Sequence, residues 1–121
     1  MTKARIAIVD DEEELRANLK DLLEFEGYAV YAYSNGEDAL AELPAVQPHL
    51  ILLDVQLPGI DGIEVLRRLH LDHPDWPVVI VSASSEPGVL DKAQEYGARE
   101  IILKPFNQDE ILAHISRYTQ S

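Results

Sequence analysis

The stretch HLILLDVQLPGIDG, residues 49–62, decides the fold of this 121-residue chain. After His49 it has four apolar residues, Leu50 to Leu53, which are followed by a single carboxylate, Asp54. A run that is apolar at every position, rather than at alternate positions, is typical of a strand buried on both faces of a parallel sheet. Because an isolated buried charge is costly, a carboxylate at the end of such a strand indicates a partner or a function.

The same pattern repeats along the chain, where short apolar runs alternate with amphipathic segments. Strands are predicted over residues 5–9, 28–33, 50–53, 78–81 and 101–103. Helical spacing of apolar residues follows each strand; Gly27, Pro44 and Gly97 are expected to end three of these helices, and Asp61 to cap the third helix. Strict alternation of strand and helix predicts a parallel sheet covered by helices on both faces. We therefore expect a single α/β domain over residues 1–121, without a second domain.

Composition excludes several classes of function. Hydrophobic residues make up 46% of the chain and charged residues 26%, which is enough for a packed core. Acidic residues outnumber basic ones by 22 to 10, and the net charge of −12 argues against binding nucleic acid or anionic lipid. The chain has no cysteine, which excludes disulfides and thiolate chemistry and fits a cytoplasmic protein. The first apolar run, residues 5–9, is too short for a signal peptide or a membrane span.

Polar side chains follow four of the five predicted strands. They are Asp10 and Asp11 after the first strand, Asp54 after the third, Ser82 after the fourth and Lys104 after the fifth. If the strand order is 2-1-3-4-5, these groups meet at one edge of the sheet, where ligands of open α/β sheets bind. Three carboxylates at close range require a cation, and a set of oxygen donors favours Mg²⁺. Such an ion completes its coordination with water and phosphate oxygens.

This combination of groups suits phosphoryl transfer. Asp54 would be the nucleophile that attacks phosphorus, while Mg²⁺ and Lys104 neutralise the charge on the equatorial oxygens. The hydroxyl of Ser82 would complete the set of groups around the phosphoryl oxygens. The product of the attack is an aspartyl phosphate.

Five motifs in this order resemble the receiver domain of two-component response regulators. They are IVDDE at residues 8–12, LILLDVQLPGIDGIEVL at 50–66, VVIVSA at 78–83, YGA at 96–98 and LKPF at 103–106. Each motif alone is common, but the ordered set is specific, and the resemblance covers essentially the whole chain. It implies a flavodoxin-like, doubly wound (βα)5 fold whose five parallel strands have the order 2-1-3-4-5.

The resemblance also implies a role for each residue at the edge of the sheet. Asp54 would accept a phosphoryl group from the phosphohistidine of a kinase. Asp11 would bind Mg²⁺ directly, Asp10 largely through water, and the backbone carbonyl of Gln56 would be a further ligand. Lys104 would pair with the phosphoryl group, and the peptide bond that follows Lys104 is often cis in this family.

Ser82 and Ile101 are the residues that the resemblance assigns to the switch. Ser82 would move to hydrogen-bond a phosphoryl oxygen. The residue three positions before the lysine is usually a Phe or Tyr that turns inward, and this chain has Ile101 there. An aliphatic side chain offers neither a ring nor a polar group. Gln56 and Ser84 occupy the two variable positions that tune dephosphorylation in this family.

The implied protein is a bacterial, cytoplasmic phosphoprotein that catalyses only its own phosphorylation and dephosphorylation. Its expected partners are a sensor histidine kinase or phosphotransfer protein, and a downstream output protein or a C-terminal output domain missing from this chain. No nucleic acid or membrane is expected to bind this domain, and dimerisation on phosphorylation is left open.

Three other functions are weaker interpretations of the sequence. A phosphohydrolase of the haloacid-dehalogenase type would place its nucleophile after the first strand, with a second Asp where this chain has Gln56. A nucleotide or flavin binder would need a glycine-rich phosphate loop, which is absent from the sequence. A degenerate receiver that binds partners without phosphorylation is the main alternative; Ile101 favours it, but the complete set of acids, hydroxyl and lysine argues against it. Glu12 to Glu14 are interpreted as acids that stabilise the start of a helix.

Overall fold

The computed structural model describes residues 3–119, which form five strands and five helices in strict alternation. The strands are β1 Arg5–Val9, β2 Ala29–Tyr33, β3 Leu50–Leu53, β4 Val78–Ser82 and β5 Glu100–Leu103. The helices are α1 Glu13–Phe25, α2 Gly36–Val46, α3 Gly62–Asp72, α4 Pro87–Glu95 and α5 Gln108–Thr119. Within residues 3–119, no helix has the length and apolar character needed to cross a membrane.

The sheet is parallel throughout and has the order β2-β1-β3-β4-β5, which confirms the predicted fold. Its register continues past the ends of two central strands. The backbone N–H of Asp10 donates to the carbonyl of Tyr33 at 3.1 Å, and that of Asp54 donates to the carbonyl of Val9 at 2.9 Å. Asp10 and Asp54 are therefore held by the sheet itself, at the same carboxyl edge.

The core consists of two layers, one on each face of the sheet. Strand β3 contributes to both, because Leu50 and Leu52 face the helices α1 and α5, whereas Ile51 and Leu53 face α2, α3 and α4. All four side chains are buried. Burial on both faces explains why this strand is apolar at every position.

One predicted helix end is wrong. Pro44 does not end α2; the helix continues to Val46, and Gln47 ends it in the left-handed conformation, with φ of 53°. Proline removes only one hydrogen bond of the helix, and the N–H of Gln47 still bonds to the carbonyl of Leu43 at 2.9 Å. Because Leu43 is buried and Val46 packs against the core, tertiary contacts hold the last turn.

Candidate functional site

Three loops at the carboxyl edge of the sheet bring four of the five predicted polar residues together. Asp10 lies in the loop from β1 to α1, Asp54 in the loop from β3 to α3, and Lys104 in the loop from β5 to α5. The Asp10 and Asp54 residues are only 3% and 4% exposed, whereas Asp11 is exposed. We refer to Asp10, Asp11, Asp54 and Lys104 as the edge site.

The ammonium group of Lys104 lies among carboxylates. Its Nζ donates to Asp10 Oδ2 at 3.0 Å and to Asp54 Oδ2 at 3.1 Å. A third, longer contact of 3.4 Å joins Nζ to Glu12 Oε1. The predicted convergence of the first, third and fifth strands on one point is therefore present in the structure.

The second oxygen of each buried carboxylate accepts a backbone hydrogen bond. The N–H of Gln56 donates to Asp54 Oδ1 at 3.1 Å, and the N–H of Glu12 donates to Asp10 Oδ1 at 2.9 Å. The start of α3 also approaches the Asp54 backbone closely, since a Cβ on Gly62 would lie 2.0 Å from the Asp54 carbonyl oxygen. Both carboxylates are therefore fixed in orientation by the backbone around them, and Gly62 is required there for steric reasons.

Burial and pairing act in opposite directions at the edge site. Burial raises the pKa of the Asp10 carboxyl above its usual value, although hydrogen bonds from Glu12 and Lys104 oppose that effect. For Lys104, burial lowers the pKa, but the hydrogen bonds and charges of Asp10 and Asp54 outweigh burial, so the pKa is raised overall. Lys104 is therefore positively charged at neutral pH. Its single charge compensates only part of the negative charge of the carboxylates around it.

The acidic group has the composition of a divalent cation site. One carboxylate oxygen from each of Asp10, Asp11 and Asp54 lies within 4.8 Å of the others. Two ligands of one octahedral Mg²⁺ lie about 3–4 Å apart, so small side-chain rotations would let these oxygens share an ion. The hard oxygen donors and the surplus of negative charge fit Mg²⁺ better than a soft metal.

The two predicted switch residues lie on β4 and β5. Ser82 is fully buried at the end of β4, and its Oγ accepts a hydrogen bond from the N–H of Ser84 at 3.0 Å. Ile101 pairs with Ile80 in the sheet and is partly buried against the core layer beneath α2, α3 and α4. The Lys104–Pro105 peptide bond, which the resemblance implied is often cis, is cis.

Sequence reasoning missed two contributors to this region, Glu12 and Arg16. The sequence pattern predicts that Glu12 stabilises the start of α1, but its side chain makes no capping hydrogen bond and lies near Lys104. Arg16 donates from Nη1 to the backbone carbonyl of Asp10 at 2.8 Å. The only available signal was indirect: Arg16 is the first cation after five consecutive acids, residues 10–14.

A family profile described as "Response regulator receiver domain" matches residues 6–116 of the chain. Sporulation initiation phosphotransferase F of Bacillus subtilis is 36% identical over 118 residues, which cover 98% of this chain and 95% of that protein. The alkaline phosphatase synthesis transcriptional regulatory protein PhoP of the same organism is 38% identical over 111 residues. The match covers 92% of this chain but 46% of PhoP, and several other relatives are covered to only 25–50%.

Solved structures agree with these sequence relatives. A CheY-like response regulator receiver domain protein from Methanospirillum hungatei superposes with a TM-score of 0.93 at 30% identity, covering 96% of this chain and 93% of that chain. A structure titled "BeF3 Activated DrrB Receiver Domain" gives a TM-score of 0.88 at 30% identity and covers 97% of both chains. The similarity therefore extends over the whole fold, including the loops that carry the edge site.

Proposed function

This chain belongs to the response regulator receiver domain family, and we propose that it is a switch in which Asp54 accepts a phosphoryl group from the phosphohistidine of a sensor kinase or phosphotransfer protein. The observation that carries the proposal is the environment of Asp54. Its carboxylate is buried, one oxygen accepts a backbone N–H, and the other lies 3.1 Å from the Lys104 ammonium. A nucleophile held in this way beside a fixed cation suits attack on phosphorus.

The transfer is a substitution at phosphorus, and it requires no oxidant or reductant. An oxygen of Asp54 attacks phosphorus, and the bond from phosphorus to the donor breaks as the new phosphorus–oxygen bond forms. The donor leaves with the bonding pair, as neutral histidine from a phosphohistidine whose other ring nitrogen carries a proton, or as acetate from acetyl phosphate. Hydrolysis later returns Asp54 to a carboxylate and releases inorganic phosphate.

We propose Mg²⁺ as the cofactor of both steps. Asp10, Asp11 and Asp54 would hold it together with the backbone carbonyl of Gln56, and their oxygen ligands are of the type this ion prefers. When bound, the ion would neutralise charge on the phosphoryl oxygens. Lys104 would neutralise charge from the other side, since its Nζ already contacts Asp10 and Asp54.

The switch would run through Ser82. Its Oγ accepts a hydrogen bond from the N–H of Ser84, and its O–H would be the donor to a phosphoryl oxygen on Asp54. A phosphoryl group supplies nearly two negative charges and three acceptor oxygens, which would attract the hydroxyl of Ser82 toward Asp54. Ile101 would respond by a change in packing against the core, because it has no hydroxyl group to move toward a partner.

A partner would detect this rearrangement, either a separate output protein or an output domain of a longer chain. Several relatives that this chain matches over only part of their length are transcriptional regulators by name, which supports an output of that kind. Kinase, receiver and output would meet in the cytoplasm. A receiver that binds its partner without phosphorylation is the second candidate, favoured by the aliphatic Ile101 alone.

The test is intact-mass spectrometry after incubation with acetyl phosphate and Mg²⁺. We expect one phosphoryl adduct on the wild type and none on Asp54→Asn, whereas Asp72→Asn, which removes an exposed carboxylate in α3, keeps the adduct. Chelation with EDTA should abolish the reaction. Absence of an adduct with acetyl phosphate, phosphoramidate and a panel of histidine kinases would refute the proposal and leave the phosphorylation-independent receiver.

A further inference from the structure

The N-terminus of α1 lacks the side-chain cap that α2 and α3 have, as does the N-terminus of α4, where Glu86 makes no capping bond. Asn35 and Asp61, the N-cap residues of α2 and α3, each accept a hydrogen bond from the backbone N–H three residues ahead. Glu12 is the N-cap residue of α1, and its side chain makes no such bond. Its carboxylate lies instead 3.4 Å from Lys104 Nζ. Unlike the caps of α2 and α3, the Glu12 side chain is therefore directed to Lys104 and not to the N–H groups of its own helix.

We propose that Glu12 is a positioning residue that partly offsets the charge of Lys104 and so slows phosphoryl uptake from small anionic donors. This inference rests on the proposed function of Asp54. Glu12 would contact neither the phosphoryl group nor the metal, and it acts through the ammonium group of Lys104.

The exposure of the groups around Lys104 supports this role. The Asp10 and Asp54 side chains are 5% exposed, and that of Lys104 is 11% exposed. The Glu12 side chain is 59% exposed, so it is the partner of Lys104 that extends into solvent. A negative charge in that position weakens the attraction between Lys104 and an arriving phosphoryl donor, and it repels the donor directly.

The charge of the donor determines how strongly it is affected. Acetyl phosphate reacts by loss of acetate and phosphoramidate by loss of ammonia, in each case as the bond from Asp54 to phosphorus forms. Phosphoramidate, which is protonated on nitrogen, carries less negative charge than acetyl phosphate. A phosphohistidine presented by a protein gains affinity from many other contacts. Glu12 therefore favours a protein-borne donor over free acyl phosphates.

The experiment compares Glu12→Gln with Glu13→Gln at saturating Mg²⁺. Both variants remove one exposed carboxylate near the start of α1, but Glu13 has no contact with Lys104 among the described residues. We expect Glu12→Gln to accelerate phosphorylation by acetyl phosphate about two- to fivefold, as for other exposed charge pairs. The acceleration should be smaller with phosphoramidate, and it should shrink at high salt because exposed charges are screened. Equal rates for the two variants, or equal acceleration with the two donors, would overturn the inference.

A second variant, Glu12→Ser, separates the helix from the edge site. Serine is a good N-cap residue, so this change should raise the melting temperature by about 4 °C while accelerating phosphorylation as Glu12→Gln does. A higher melting temperature without a faster reaction would overturn the inference. A wild type that accepts no phosphoryl group at all would refute the proposed function itself, which is a separate outcome.

Discussion

Two clusters of charged side chains lie at opposite ends of strand β5, and their charge balance differs. At the carboxyl end, Lys104 is a single ammonium facing three carboxylates. At the amino end, Glu100 is a single carboxylate: its Oε1 lies 2.8 Å from both Arg117 Nη1 and His114 Nδ1, and its Oε2 accepts the hydroxyl of Tyr118. We call these four residues, Glu100, His114, Arg117 and Tyr118, the Glu100 cluster.

The difference in charge balance separates a binding site from a structural contact. The Glu100 cluster satisfies its one carboxylate with hydrogen-bond donors from α5, and it fixes that helix on the edge strand β5. The edge site retains surplus negative charge in a buried position, which destabilises the protein unless a further cation enters. Because its buried carboxylates outnumber its ammonium group, we expect the edge site, and not the Glu100 cluster, to bind a cation.

The largest expected effect is that of Lys104→Met. Without the ammonium, the buried carboxylates of Asp10 and Asp54 lose their only side-chain cation among the described residues. We expect the free energy of unfolding in EDTA to fall by about 3 kcal/mol, and phosphorylation of Asp54 to be lost. Mg²⁺ should restore more stability to this variant than it adds to the wild type. Urea unfolding with and without Mg²⁺ measures both quantities.

The matched control is Lys92→Met, which removes an exposed ammonium from α4. It should change the unfolding free energy by only about 0.5 kcal/mol, with the same response to Mg²⁺ as the wild type. If the two lysine variants were equally stable, or if Mg²⁺ stabilised both equally, the edge site would not carry an excess of buried negative charge.

The edge site could be located from the sequence because its residues stand within two positions of the end of a strand. Asp10, Asp54 and Lys104 need only the strand order to be brought together, and that order came from the resemblance to a family. Their chain positions then fix their place to within a few ångström, since the ladder continues into Asp10 and Asp54. The apolar runs predicted the strands equally well, because a central strand of a parallel sheet is buried on both faces and has no polar face.

Contacts that depend on side-chain direction could not be predicted in this way. Glu12 and Lys104 are 92 residues apart in the chain, and Glu100 and Arg117 are 17 apart on different elements. Periodicity indicates which face of a helix is buried, but not where a long charged side chain on its rim points. The same limit explains Pro44, because packing of Leu43 decides whether the last turn of α2 forms, and local preference does not.

An intermediate effect is expected for Glu100→Gln. The variant keeps one acceptor but loses the charge that pairs with Arg117 and the second carboxylate oxygen, so the unfolding free energy should fall by about 1–2 kcal/mol at pH 7. Burial opposes ionisation of Glu100, but its partners outweigh burial and lower its pKa. Its contribution to stability is therefore present above its ordinary pKa and is lost as the pH falls through the lowered value.

Two controls sharpen this prediction. Glu86→Gln, at an exposed position before α4, should be nearly neutral. Mg²⁺ should stabilise Glu100→Gln as much as it stabilises the wild type, because the Glu100 cluster carries no surplus charge. An altered Mg²⁺ response in Glu100→Gln would show that the two ends of β5 are coupled, and the contrast between them would fail.

The smallest expected effect is on the titration of Tyr118. Burial and its hydrogen bond to Glu100 raise the pKa of this phenol to about 12, from an ordinary value of about 10. The raised pKa means that Tyr118 contributes stability below pH 10, which is lost as the pH rises toward 12. Difference absorbance between wild type and Tyr118→Phe isolates its tyrosinate signal. In a Glu100→Gln background the same signal should appear at lower pH, because the neutral amide no longer disfavours the phenolate. An unchanged titration would mean that burial alone sets the pKa of Tyr118, and that the carboxylate of the Glu100 cluster is satisfied by Arg117 and His114.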